Sequence, residues 1–372
     1  MMVLVMSACS QVYVTRPASV ISSTITSNRP VRGVWLTNVA STVLDSRQNI
    51  KDAVSLCAES GINNIYVVTW NAGQTLYPSR VMERMFGKLI DKRFEGRDPL
   101  RELIDEAHKK NIKVHAWFEY GFSSSYKQNG GDIIRRKPEW AAIDNNGKLV
   151  IKNGFEWMNA FDPKVQNFIL SLIKEVSKNY NIDGIQGDDR LPANPSTAGY
   201  DKYTVALYKK EHNNLPPPND YKDTDWVTWR ANKLNDFMRR IHYEIKAIRP
   251  DIAVTMAPSI FPWSKEEYLQ DWPTWVKNGW VDSIFPQVYR YNIAAYTTNL
   301  DANLKYMPET DYDIFYPGVL LKVSDYSPSE EFLNQMIEVN RKRGIQGEVF
   351  FFYEGLKLHA DFFKKYYNSI PN

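Results

Sequence analysis

The chain has 372 residues, 43% of them hydrophobic, which suits one large core and is an ordinary length for a barrel with insertions. Its 46 Lys and Arg against 43 Asp and Glu leave a net charge of +3, too balanced for a nucleic-acid surface, and no Lys/Arg-rich run occurs. Two cysteines, Cys9 and Cys57, make no disulfide framework or cysteine metal site, and the five histidines lack zinc-site spacing, so neither metal nor other cofactor is expected.

Residues 1–8 are apolar and lead into Met6-Ser7-Ala8-Cys9-Ser10. Small residues ahead of a cysteine after an apolar run resemble a bacterial lipoprotein signal. The resemblance implies acylation of Cys9 and a membrane partner at the cell envelope. The run is too short to span a bilayer. It also lacks the basic segment of a secretory signal, which points to a true start upstream of Met1. Residues 10–30, rich in Ser, Thr and Val, read as an extended tether. The expected division is therefore 1–30 for signal remnant and tether and 31–372 for a single domain.

Eight strand-like runs follow, at 31–38, 63–70, 112–120, 183–189, 252–258, 281–289, 313–320 and 347–354. Most are near-continuous apolar runs, as parallel strands covered on both faces require. Helical periodicity fills the intervals at 50–60, 97–110, 163–180, 226–248 and 329–343. Cys57 falls on the apolar side of the first helix, with Ala53, Val54 and Leu56, and is expected to be buried and inert. Strand–helix alternation repeated eight times predicts an α/β fold, a (β/α)8 TIM barrel. An open doubly wound sheet would carry a Gly-rich phosphate turn after its first strand, and Leu36-Thr37-Asn38-Val39 has none. Helix-to-strand connections are short, whereas strand-to-helix connections after strands 2, 3 and 4 are long, at 71–97, 121–162 and 190–225. The insertions therefore enlarge one mouth, where such barrels build their sites.

Side chains alternate along a strand. His115, Trp117 and Glu119 share one face of strand 3, and Gly184, Gln186 and Asp188 one face of strand 4. Phe285, Gln287 and Tyr289 do so on strand 6, and Phe350, Phe352 and Glu354 on strand 8. A barrel interior cannot bury lone carboxylates cheaply. Glu119, Asp188 and Glu354 are therefore expected to meet water, cations or substrate at the mouth. Strand 4 ends in two acids followed by Arg190, and Asp189 has the opposite parity to Asp188.

Arg32-Gly-Val-Trp-Leu, Lys113-Val-His-Ala-Trp-Phe and Asp183-Gly-Ile-Gln-Gly-Asp-Asp resemble strands 1, 3 and 4 of the glycoside hydrolase-like family 10 barrels. Phe285-Pro-Gln-Val-Tyr and Phe351-Phe-Tyr-Glu-Gly fit as well, so the resemblance runs over about residues 31–365. That family includes bacterial envelope glycosidases that cut peptidoglycan glycan strands. The Asp-Gly-x-x-x-Asp pattern is also similar to strand 4 of α-amylase-type glycosidases, which implies a nucleophile at Asp188. Those enzymes carry their acid on strand 5, but Ile252-Ala-Val-Thr-Met-Ala-Pro has no carboxylate, so the proton donor must come from elsewhere.

The expected function is a glycoside hydrolase acting on a polysaccharide or glycan strand through two carboxyl groups. Asp188 is nucleophile or electrostatic stabiliser. Glu354 and Glu119 compete for general acid/base. Glu354 is preferred because its aromatic neighbours Phe350, Phe351, Phe352 and Tyr353 would keep its proton on. Asp189, Arg190, Gln186, His115, Trp117, Gln287 and Tyr289 are candidate sugar ligands, with Trp70 as a stacking platform. Trp140 and Trp157 are candidate groove residues. His115 reads equally well as a satisfied core histidine and Trp70 as rim packing. The alternative of another class is a catalytically inactive barrel that binds envelope glycans.

Overall fold

In a computed structural model described over residues 30–368, the apolar runs become strands and the periodic segments become helices. In chain order these are β1 (Arg32–Leu36), α1 (Arg47–Glu59), β2 (Asn64–Val68), α2 (Pro99–Lys109), β3 (Lys113–Phe118) and α3 (Pro163–Asn179). Next come β4 (Gly184–Asp188), α4 (Thr224–Ile248), β5 (Ala253–Ala257), α5 (Trp272–Lys277), β6 (Ser283–Ile284) and α6 (Ile293–Leu304). The chain closes with β7 (Gly318–Leu320), α7 (Glu330–Lys342), β8 (Glu348–Phe351), α8 (Tyr353–Leu358) and α9 (Ala360–Asn368). Cys9 and the tether expected before residue 30 lie outside the described residues. No helix among those described is long and apolar enough to cross a membrane.

The longer helices start where a side chain accepts a backbone N–H that the first turn leaves unpaired. Ser46, Asp98, Asp162, Asp223, Asn292 and Ser329 do this for α1, α2, α3, α4, α6 and α7. Proline stands at the first helical position of α2 and α3, where no N–H is needed.

The strands pair in parallel in the order β6-β5-β4-β3-β2-β1-β8-β7. Bridges Ile284–Phe315 and Gln287–Gly318, with Gly318 N–H donating to Pro286 O at 2.9 Å, join β6 to β7 and close the ring. The fold is thus the expected (β/α)8 barrel. Its interior is layered. Tyr66 stacks on His115 at 4.6 Å between centroids and meets Phe285 edge-on at 5.2 Å. Gly184 makes room for this layer, because a Cβ there would come within 2.3 Å of His115 Nδ1. Cys57 is fully buried, and burial pushes its thiol up to about 12, so it stays protonated and inert.

Three strand-to-helix segments carry structure of their own. After β2 a short hairpin pairs Trp70–Asn71 with Gln74–Thr75. After β3 a three-stranded antiparallel sheet is built from Ser123–Tyr126, Phe155–Trp157 and Ile151–Lys152. After β4 the chain runs through the helix Lys202–Glu211 before α4.

Candidate active site

Asp188 is the last residue of β4 and only 2% exposed. Its side chain points inward, like those of Gln186 beneath it and Trp117 on β3, whose register partner is Gln186. The chain turns back at once, so the Arg190 backbone N–H donates to Asp188 Oδ1 at 3.0 Å and Arg190 Nη2 to Oδ2 at 2.9 Å. Gln270 Nε2 holds the Asp188 carbonyl at 2.8 Å. Arg190 also bonds Asp189 at 3.1 Å and the Glu119 carbonyl at 2.8 Å, and lies 4.0 Å from Glu119 Oε1. Its guanidinium sits over the Phe155 ring, 4.6 Å from the centroid.

Glu119 follows β3 and faces the same space. Asn71 donates to it at 2.7 Å. Asn71 reaches it because the hairpin after β2 is pinned by Trp70. That ring is fully buried, donates Nε1–H to Gly121 O at 3.0 Å and packs edge-on against Phe168. Trp70 is therefore an anchor for Asn71 and offers no face to a sugar.

These groups line a cavity of about 230 Å³, with Trp35, Trp117, Phe155, Phe351, Gln287 and Tyr289 among its walls. It is smaller than the roughly 300–1,000 Å³ of most small-molecule sites. Burial pushes the Asp188 carboxyl well above the usual carboxylate range, and the charges of Asp189 and Glu119 add to that while Arg190 opposes it. Burial also raises Glu119, against Arg190 and Asn71. Burial disfavours the charge on Arg190, but Asp188, Asp189 and Glu119 outweigh it and raise its pKa, so it remains a fixed cation. Three acids around one cation in a closed pocket favour keeping a proton in the cluster. Among the described residues no group of three or more His, Cys, Asp or Glu is arranged to hold a metal ion.

The structure brings together Asp188, Asp189, Arg190, Glu119, Trp117, Gln287 and Tyr289, and sets six other candidates apart, Trp70 among them. Glu354 lies in the first turn of α8, where its carboxylate accepts from Ser41 Oγ at 2.8 Å, with Lys357 at 3.9 Å. It does not line the cavity. The parity expected for strand 8 fails because Phe350 faces outward, 4.7 Å from Phe363 on α9, while Phe351 faces inward against Trp35 and Tyr289. Gln186 is fully buried under the floor and accepts the Trp35 indole N–H at 2.6 Å, so it orients Trp35. His115 lies a layer lower, paired with Asn64 at 2.9 Å, and burial brings it down to about 4, so it is a neutral core histidine. Trp140 and Trp157 are buried against Phe168 and Tyr268 and line no groove.

Sequence reasoning missed Trp35, Phe155, Phe351 and Asn71. Trp35 carried a signal, since it shares the inward parity of Gly33 and Thr37 on strand 1. Phe155 and Asn71 carried none, because their positions depend on how the insertions fold. Trp117 Nε1 is buried with no hydrogen-bond partner in the protein, so the pocket wall offers one unpaired donor.

The sequence pattern of the glycosyl hydrolase-like 10 family matches residues 30–314, which covers β1 through β6. Glycosyl hydrolase DigH of Escherichia coli strain K12 is 26% identical over 325 residues, spanning 72% of this chain and 67% of that protein. Glycosyl hydrolase YngK of Bacillus subtilis strain 168 is 24% identical over 365 residues, 85% of this chain and 66% of that one. The chain thus spans about two thirds of the length of these relatives. Among solved structures, the PgaB (BpsB) glycoside hydrolase domain of Bordetella bronchiseptica superposes with a TM-score of 0.67 at 14% identity, over 90% of this chain and 98% of that one. That last likeness is one of fold.

Proposed function

The chain belongs to the glycosyl hydrolase-like 10 family, and on that premise we propose that it is a glycoside hydrolase of the bacterial cell envelope. It cuts a polysaccharide or peptidoglycan glycan strand with two carboxyl groups, Asp188 and Glu119. One observation carries the reading: both acids, from adjacent strands, converge on Arg190 in one cavity. A barrel that only bound glycan would gain nothing from burying two carboxyl groups whose desolvation is costly.

The hydrogen bonding suggests the division of labour. Both Asp188 oxygens accept from Arg190, which favours the ionised form there. Asp188 then attacks the anomeric carbon or stabilises the positive charge that develops on it. Burial raises Asp188 further than Glu119, so the pair shares a proton; we assign it to Glu119 on geometry, because Glu119 accepts from the neutral Asn71 amide and lies further from the cation than Asp188 does. It gives that proton to the leaving oxygen as the glycosidic C–O bond breaks, and takes one back from the attacking water. The two acids approach a single Arg190 nitrogen at 2.9 and 4.0 Å, so those oxygens cannot be further apart than the two distances laid end to end. The limit applies to one oxygen of each acid, so the separation of the two carboxyl groups is compatible with the about 5–5.5 Å of retaining enzymes and with the roughly 6.5–9.5 Å of inverting ones.

The envelope location rests on the sequence around Cys9. Incubating the full chain with sacculi, with amidase-stripped glycan strands and with soluble polysaccharides tests the activity by chain length and new reducing ends. No shortening of any of them overturns the reading. Incorporation of a radiolabelled fatty acid that survives Cys9→Ala overturns the anchor.

A further inference from the structure

We propose that the mouth of the barrel holds an extended glycan chain on two tyrosine platforms, Tyr126 and Tyr291, on opposite sides of the pocket, so that cleavage falls within the chain. The inference rests on the glycosidase reading and adds how the polymer is held.

The cavity of about 230 Å³ surrounds little more than the reacting sugar, so the rest of a polymer must lie along the rim. Tyr126 ends the strand Ser123–Tyr126 in the insertion after β3 and is 40% exposed. It packs edge-on against Phe155, 5.1 Å between centroids, and Phe155 lines the cavity. The surface therefore runs from this ring straight into the site. Lys127 Nζ lies over the Tyr126 ring, 5.1 Å from its centroid, so it shares that face and offers a donor there for sugar hydroxyls.

Tyr291 is 63% exposed and lies two residues past Tyr289, which lines the opposite wall. Tyr326, from the loop after β7, braces it edge-on at 4.7 Å. In the closed ring, β6 and β7 stand across the barrel from β3. A line from Tyr126 to Tyr291 thus crosses the mouth between the walls that carry Glu119 and Tyr289. Exposed aromatic rings braced by neighbours and continuous with a polar pocket fit the flat C–H face of a sugar, which needs no specific hydrogen bond from the ring.

The test uses glycan strands from amidase-treated sacculi as the long probe and their disaccharide and tetrasaccharide fragments as the short ones. Tyr126→Ala and Tyr291→Ala should each raise the half-saturating concentration of long strands roughly five- to tenfold, with kcat and the handling of short fragments unchanged. Tyr→Phe at either position should behave as wild type. Tyr243→Ala, which removes an equally exposed ring from α4 on the outer wall, should do nothing. Products formed early should be of intermediate length. The inference is overturned if wild type releases only terminal units, or if both Ala variants match wild type on long strands. If wild type cleaves no strand, the glycosidase reading falls. Anisotropy of end-labelled strands bound to full-length Asp188→Asn protein then still decides the platforms: weakened binding on losing both tyrosines upholds them, and unchanged binding overturns them.

Discussion

β4 and β8 each run out into an acid, and the two acids end up in opposite circumstances. At β4 the strand continues to Asp188 itself, so the inward alternation reaches the carboxylate. The tight turn that follows folds Arg190 back over it. At β8 pairing stops at Phe351 and a helix starts at Tyr353, so Glu354 leaves with the helix and bonds Ser41. Alternation carries Glu119, Gln287 and Tyr289 inward even past the ends of β3 and β6. It fails at Glu354 because a helix begins at once.

The contrast can be attacked directly. Asp188→Asn should lower turnover about 10³-fold or more while the fold is retained, as checked by single-turnover kinetics and circular dichroism. Full activity in that variant would remove β4 from the chemistry. Arg190→Ala leaves three acids without their cation. It should cost about 3–5 kcal/mol of stability at alkaline pH, read by urea unfolding, and less in acid, where Asp188 and Glu119 take up protons. An equal loss at both pH values would mean that Arg190 acts by packing alone.

Acidity gives a third test. Asp188 and Glu119 are both raised by burial, so both limbs of the bell-shaped kcat/KM profile should lie above the ordinary carboxylate values of about 3.9 and 4.3. Because the folded values are raised, the pair binds protons on folding. Its contribution to stability is fully present below the unfolded values and is lost as pH rises through the folded ones. Asp188→Asn should therefore flatten the decline of Tm as pH rises above the ordinary carboxylate range. A smaller effect is expected from Asn71→Ala. Losing this donor removes a contact that lowers Glu119, so the alkaline limb should move up. A limb that stays put would detach Asn71 from the acid.

The barrel was legible because its signals are local and repeated: eight apolar runs, helix caps such as Asp98-Pro99 and Asp162-Pro163, and short connections on one face. The inward faces of strands 3, 4 and 6 followed from alternation, and they supplied Trp117, Glu119, Asp188, Gln287 and Tyr289. Glu354 was misread because nothing in Phe351-Phe352-Tyr353 marks where pairing ends. Trp70 and Gln186 carry the right residue types for a sugar site, but one is turned inward by a hairpin and the other lies one layer too deep. Phe155 enters the pocket and Asn71 reaches Glu119 from insertions whose folds depend on distant partners, which no spacing in the sequence encodes.

The central claim is that Asp188 works with Glu119 and that Glu354 takes no part. Side-by-side turnover of Glu119→Gln and Glu354→Gln on amidase-stripped glycan strands tests it most directly. The account predicts a loss of about 10²–10⁴-fold for Glu119→Gln and a change within about twofold for Glu354→Gln, whose carboxylate lies outside the cavity. A crippled Glu354→Gln beside an active Glu119→Gln would contradict it.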